Sequence, residues 1–254
     1  MNPVYEKLQS CLKSVRAKTD FQPKIALILG SGLGDYADSI EIVDTIDYNE
    51  IEGFPISTVS GHKGRFVFGY VKGVPVVIMQ GRVHYYEGYP MTDVVLPTRL
   101  MGMMGAKVLF LTNASGGLNP NFHAGDFMVM EDQIANFVPS PLIGTNIDEL
   151  GPRFPDMSEI YNKACREQIF AAADALDSGS EGCLCPTDWP QLRVAFRGED
   201  VPSHRWRCCG HEHCVRSHCS KSHGNESLRH LLHHQHGKWN FQGSAEPYRS
   251  EGDC

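Results

Sequence analysis

The sequence predicts an α/β fold, a mixed β-sheet flanked by helices, and three observations carry that reading. The runs IALIL (25–29), VPVVIM (74–79) and AKVLFLT (106–112) are apolar without alternation. Strands of that kind are buried on both faces, as in parallel or mixed sheets covered by helices. Segments of helical periodicity lie between and around them. Finally, 254 residues, 41% of them hydrophobic, suffice to bury a core of useful size.

Each element follows in order. Val4, Leu8, Leu12 and Val15 recur at three- and four-residue spacing, so the chain opens on an amphipathic helix that Pro23 ends. IALIL is the first strand and VPVVIM the next. VVLPTRLMGMMG (94–105) reads as a helix ending at Gly102 or Gly105, AKVLFLT as a strand, and MSEIYNKACREQIFAAADAL (157–176) as a helix. The formal charge of −7 gives no general pull toward nucleic acid or an acidic membrane. No apolar run is long enough to span a bilayer, and the N-terminus lacks the apolar stretch of a signal peptide. The expectation is a soluble cytoplasmic protein.

Composition breaks near residue 176. Residues 1–176 hold 2 Cys, 3 His, no Trp, all 9 Met and 13 Ile, whereas residues 177–254 hold 7 Cys, 9 His, all 3 Trp and neither Met nor Ile. Val, Leu and Phe supply only 10 positions of the tail. The two stretches are therefore read as separate units, and the tail is expected to be mostly irregular.

Four loops of the body carry small or chemically active residues. Gly30-Ser31-Gly32-Leu33-Gly34 follows IALIL directly. Its backbone N–H groups and the Ser31 hydroxyl suit an anion, though a plain tight turn reads equally well. The glycine spacing fits neither the dinucleotide fingerprint nor the P-loop. Ser60-Gly61-His62-Lys63-Gly64 offers His62, which as a lone histidine also reads as a surface or capping residue. In Gly81-Arg82-Val83-His84-Tyr85-Tyr86-Glu87-Gly88, alternation places Arg82, His84 and Tyr86 on one side, where guanidinium, imidazole and phenol can converge on one ligand. An ordinary polar edge strand is the alternative. Thr112-Asn113-Ala114-Ser115-Gly116-Gly117-Leu118 is again a glycine loop after a buried strand. Together these loops suit phosphate or another small oxyanion. No metal-ligand spacing occurs in the body.

GSGLG, SGHKG, GRVHYYEG and TNASGGLNP, in this order and spacing, resemble the trimeric class of purine nucleoside phosphorylases, as does GPRFPDMSEIYN (151–162). The likeness covers about residues 1–176, the N-terminal part of a nucleoside phosphorylase domain. Val83 and Ser115 depart from the commoner Phe and Ala without removing a functional group. The resemblance implies a homotrimeric purine salvage enzyme. It cleaves the N-glycosidic bond of a purine nucleoside with inorganic phosphate, giving base and ribose 1-phosphate, with no metal or organic cofactor. Carried over by position, Ser31, Arg82, His84 and the backbone N–H of Ala114 hold phosphate. His62 borders it from a mobile loop, Tyr86 lies against the ribose, and Arg82 and His84 are the catalytic residues, Arg82 setting charge and orientation.

The tail admits three readings. Cys183, Cys185, Cys208, Cys209, His211, His213, Cys214, His218, Cys219 and His223 offer zinc ligands, hence a zinc- or nucleic-acid-binding module, but without the spacing of a finger or ribbon. A disulfide framework needs a secreted protein. The third reading is a shifted frame. The family continues with a segment like G-V-Y-V-Q-L-T-G-P-N-Y-E-S-P. One coding of it, read from the third base, translates as C-L-C-P-T-D-W-P-Q-L-R-V-A, which is Cys183 to Ala195. With the same offset, Gly210-His211-Glu212-His213 permits G-M-S-T, and His234-Gln235 permits T-N. The tail is thus expected to be out of frame from about Leu176. The glutamate of N-Y-E and the asparagine of T-N, which bind the purine in the family, are then missing, and no purine-base residue can be named in this chain. The recovered asparagine favours 6-oxopurines over the methylthioadenosine phosphorylase alternative.

Overall fold

The computed structural model describes residues 2–30, 32–58, 63–115, 122, 126–134, 139–176, 184–185, 191–192 and 231–234. Helix α1 (Pro3–Arg16) starts where expected: the Asn2 side chain accepts the Val4 N–H at 2.9 Å, and Pro3 fills a position whose own N–H would go unused. Its inward residues Leu8, Cys11 and Val15 are fully buried.

The strands are β1 (Ile25–Ile28), β2 (Glu41–Asp47), β3 (Arg65–Val71), β4 (Val74–Gln80), β5 (Val108–Ala114), β6 (Phe127–Val129), β7 (Gln133–Ile134), β8 (Leu184–Cys185), β9 (Gln191–Leu192) and β10 (Leu231–His234). One eight-stranded sheet runs β2-β3-β4-β1-β5-β10-β6-β8, and β7 pairs with β9 apart from it. β1 lies parallel to both β4 and β5 at its centre, while β2, β3 and β4 form an antiparallel meander. The sheet is mixed, as the unbroken apolar runs imply. Alternate residues of β3 and β4 divide between two cores. Phe66, Phe68, Val77 and Met79 pack with α1 and with Leu96, Leu100 and Met101, whereas Val67, Val76 and Ile78 pack with Leu29 and Ala37 on the other side.

Three expectations need correction. The helix expected over 94–105 is α3 (Leu96–Met103), and Val94 instead ends a separate short helix, α2 (Met91–Val94), because Pro97 has no N–H to continue the first ladder and opens the second. Gly105, at φ +121°, closes it. The helix expected over 157–176 begins only at Lys163 as α4 (Lys163–Leu176). The Asp156 carboxylate takes the Ser158 N–H at 2.9 Å and Asn162 Oδ1 takes the Cys165 N–H at 3.1 Å, so local side-chain bonds replace the first helical turn. Residues 82–86 are not a strand: the chain turns into a 3₁₀ turn, Tyr85–Glu87, closed by Gly88 at φ +87°.

Strands β2, β3, β6 and β7 of the body are not expected from the sequence, nor are the short strands β8 to β10 of the tail. β3 and β4 form a hairpin through Lys72 and Gly73, both with positive φ (48° and 78°), a two-residue turn whose twist matches its strands. Of the tail, eight residues are described, and their backbone lies in β8, β9 and β10. β10 runs parallel to β5 with His233 opposite Asn113 and His234 opposite Ala114. The rest of the expectation for the tail lies outside the described residues. No helix among the described residues is long and apolar enough to cross a membrane.

Candidate phosphate site

The central parallel strands β4, β1 and β5 all end at the same edge, and the chain leaves each through one of the loops singled out above. In open α/β sheets this is where ligands bind, at the carboxyl ends of the strands.

Gly30 stands where β1 meets β5. A Cβ there would sit 2.6 Å from the Asn113 Cα and from the Thr112 carbonyl oxygen, so only glycine fits. The Gly30 N–H donates to Thr112 Oγ1 at 2.8 Å, and that hydroxyl donates onward to the Ile28 carbonyl at 3.3 Å. Thr112, within β5, thus ties the end of β1 and the start of its glycine loop to β5. From β4 comes a second tie: Arg82 Nη1 donates to the Leu29 carbonyl at 3.0 Å. Arg82 is only 7% exposed, so its charge is held against the end of β1 in a largely dry setting.

His84 is equally buried, at 7% exposure. Its partner is Glu87, whose side chain is 2% exposed. Glu87 Oε1 accepts the His84 backbone N–H at 2.6 Å and lies 3.1 Å from His84 Nδ1. The other oxygen accepts both the N–H and the hydroxyl of Thr58, at 2.5 and 2.8 Å. Burial alone would raise the Glu87 carboxyl, but the donors of Thr58 and His84 outweigh it and hold it down at about 2. An ionised carboxylate only accepts, so His84 Nδ1 carries the proton. Nε2 is then an acceptor in the neutral ring and a donor once the ring is protonated.

The Tyr86 ring stacks on His84, with centroids 4.8 Å apart and planes 19° from parallel, yet Tyr86 is 72% exposed. Ala114 is half-buried at the end of β5. Arg82, His84, Tyr86 and Ala114 therefore lie at or just beyond the strand ends, and a turn, not strand alternation, brings Tyr86 onto His84. Ser31 and His62 lie outside the described residues. Glu87 stands inside the motif GRVHYYEG, and the resemblance assigns it no role. Its signal is the spacing His-x-x-Glu, with the carboxylate three residues on where a short turn brings it back to the histidine.

A profile of the Phosphorylase superfamily matches residues 24–193. Purine nucleoside phosphorylase 1 of Geobacillus stearothermophilus is 48% identical over 160 residues, 63% of this chain and 58% of that protein. The purine nucleoside phosphorylase of Mus musculus is 44% identical over 171 residues, 66% of this chain and 59% of its own length. The chain thus matches under two thirds of the length of these relatives. Among solved structures, the Schistosoma mansoni purine nucleoside phosphorylase in complex with acetate superposes with a TM-score of 0.79 at 29% identity, covering 91% of this chain and 86% of the other. A purine nucleoside phosphorylase in complex with ribose-1-phosphate gives 0.76 at 30% identity, covering 90% and 86%. With two thirds of its length matched by the superfamily and its fold shared at this level, the chain belongs to the phosphorylase superfamily, in its purine nucleoside phosphorylase family.

Proposed function

We propose that this chain derives from a purine nucleoside phosphorylase of purine salvage and retains the phosphate half of its site. The single observation that carries the reading is the burial of Arg82 and His84 just past β4, with Arg82 donating to the Leu29 carbonyl at the end of β1. In the reaction, inorganic phosphate displaces the purine from C1′ through a transition state with oxocarbenium character. Arg82 supplies fixed positive charge to the phosphate, and the N–H of Ala114, Ser31 and His62 complete its cradle. His84, its Nδ1–H held by Glu87, meets a phosphate oxygen through Nε2. Tyr86, stacked on His84, lies against the ribose. Prepositioned phosphate beneath the sugar both stabilises the developing cation and attacks it, which removes much of the entropic barrier. The reaction asks for no metal or organic cofactor, and phosphate is a co-substrate.

The purine half of the site is a different matter. The departing base needs a partner for the negative charge it gathers. In the shifted frame, the positions of the family's glutamate and asparagine are taken by the Arg193–Val194 and Gln235–His236 regions. We infer that the chain as written has negligible activity, and that the frame-restored protein is a cytoplasmic homotrimer cleaving inosine and guanosine and largely ignoring adenosine. The comparisons favour neither the zinc or nucleic-acid module nor a methylthioadenosine phosphorylase. The test follows ribose 1-phosphate formation by ³¹P NMR in the frame-restored protein. Appearance of that product from inosine and phosphate is expected; free ribose in its place would overturn the assignment. Near-stoichiometric zinc in the purified chain as written would instead restore the module reading.

A further inference from the structure

Ser57 and Thr58 lie about thirty residues before Glu87 in sequence, outside the four motifs, yet they make four of the six hydrogen bonds described for its carboxylate. The division between the two oxygens is informative. Oε1 takes both donors of His84, and Oε2 takes both donors of Thr58, while the Ser57 hydroxyl spans the two at 3.3 and 3.2 Å. The terminal torsion of a glutamate is broad, so bonds to one oxygen alone leave the carboxylate free to rock. Fixing the second oxygen sets its plane, and with it the direction from which Nδ1 of His84 is held. Thr58 is itself exposed, so its hydroxyl and that of Ser57 stand between water and a carboxylate that is 2% exposed.

We propose that Ser57 and Thr58 are positioning residues for the phosphate-binding histidine: by clamping the far oxygen of Glu87 they fix the tautomer and the plane of the His84 ring. Neither touches the reacting atoms; both act through Glu87. The effect on phosphate rests on the site reading above, whereas the effect on the ring does not.

The test uses the full chain and four variants, Ser57→Ala/Thr58→Val, Thr58→Ser, Arg82→Ala and His84→Gln, the last to assign the His84 resonances. Long-range ¹H–¹⁵N correlation reads the imidazole tautomer, calorimetry reads inorganic phosphate, and thermal melting confirms that each variant folds. The wild-type ring should show the Nδ1–H form. The double variant should move it to a mixture of tautomers and weaken phosphate by about threefold to tenfold, the loss of a hydrogen bond or two that water partly replaces. Thr58→Ser should restore both. Arg82→Ala should abolish phosphate binding without moving the tautomer. A folded double variant with the wild-type tautomer, or a Thr58→Ser variant that behaves as the double variant does, overturns the proposal. A wild-type chain that binds no phosphate counts against the site reading, and the tautomer then decides this one by itself.

Discussion

Gly30 shows how tightly single residues are constrained at the sheet edge. Its missing side chain lets β1 come against the backbone of β5, and Gly30→Ala should cost about 3 kcal/mol or more, because the obstacle at 2.6 Å is main chain. Urea unfolding with an unchanged slope checks it; a loss under about 1 kcal/mol contradicts the packing. Glu87 sets a second constraint. Its folded value of about 2 lies below the ordinary 4.5, so the stability it contributes is present above pH 4.5 and disappears as the pH falls toward 2. Glu87→Gln should lower stability at neutral pH by about 2 kcal/mol, since an amide cannot accept every donor that the carboxylate accepts. It should also flatten the acid limb between those values, which a pH series of thermal melts reads. Arg82→Ala, in the frame-restored protein, should raise the KM for phosphate at least tenfold while leaving that for inosine nearly unchanged.

At the scale of elements, what the sequence discloses depends on how local the cause is. β1, β4 and β5 were legible because burial on both faces leaves an unbroken apolar run, and α1 because one face repeats at helical spacing. RFVFGYV was missed although Lys72-Gly73 marks its turn: Lys is not a residue expected at φ 48°. Gly73→Ala should destabilise the hairpin by about 1 kcal/mol, measurable by urea titration, and no change would contradict the turn. Residues 157–162 carry a helical pattern, yet Asp156 and Asn162 cap their own backbone there, a competition that periodicity does not register. The same limit applies to the site. Arg82 and His84 stand inside a compact motif. The part played by Glu87 depends on Ser57 and Thr58, which the fold alone brings to it.

For the whole molecule, the break in composition near Leu176 is what the proposed function turns on. The superfamily match covers residues 24–193, and identity of 48% extends over 160 residues. Beyond about Leu176 the composition changes abruptly, and the shifted frame returns family-like segments in the right order. In the proposed reading, the phosphate half of the site draws on the ends of β1, β4 and β5 with their loops, and the purine half on the later segments. The most direct test is therefore release of hypoxanthine from inosine, with and without phosphate, by the chain as written and by the protein with its frame restored after Leu176. The account predicts negligible release by the first and phosphate-dependent release by the second. Strong phosphate-dependent release by the chain as written would contradict it.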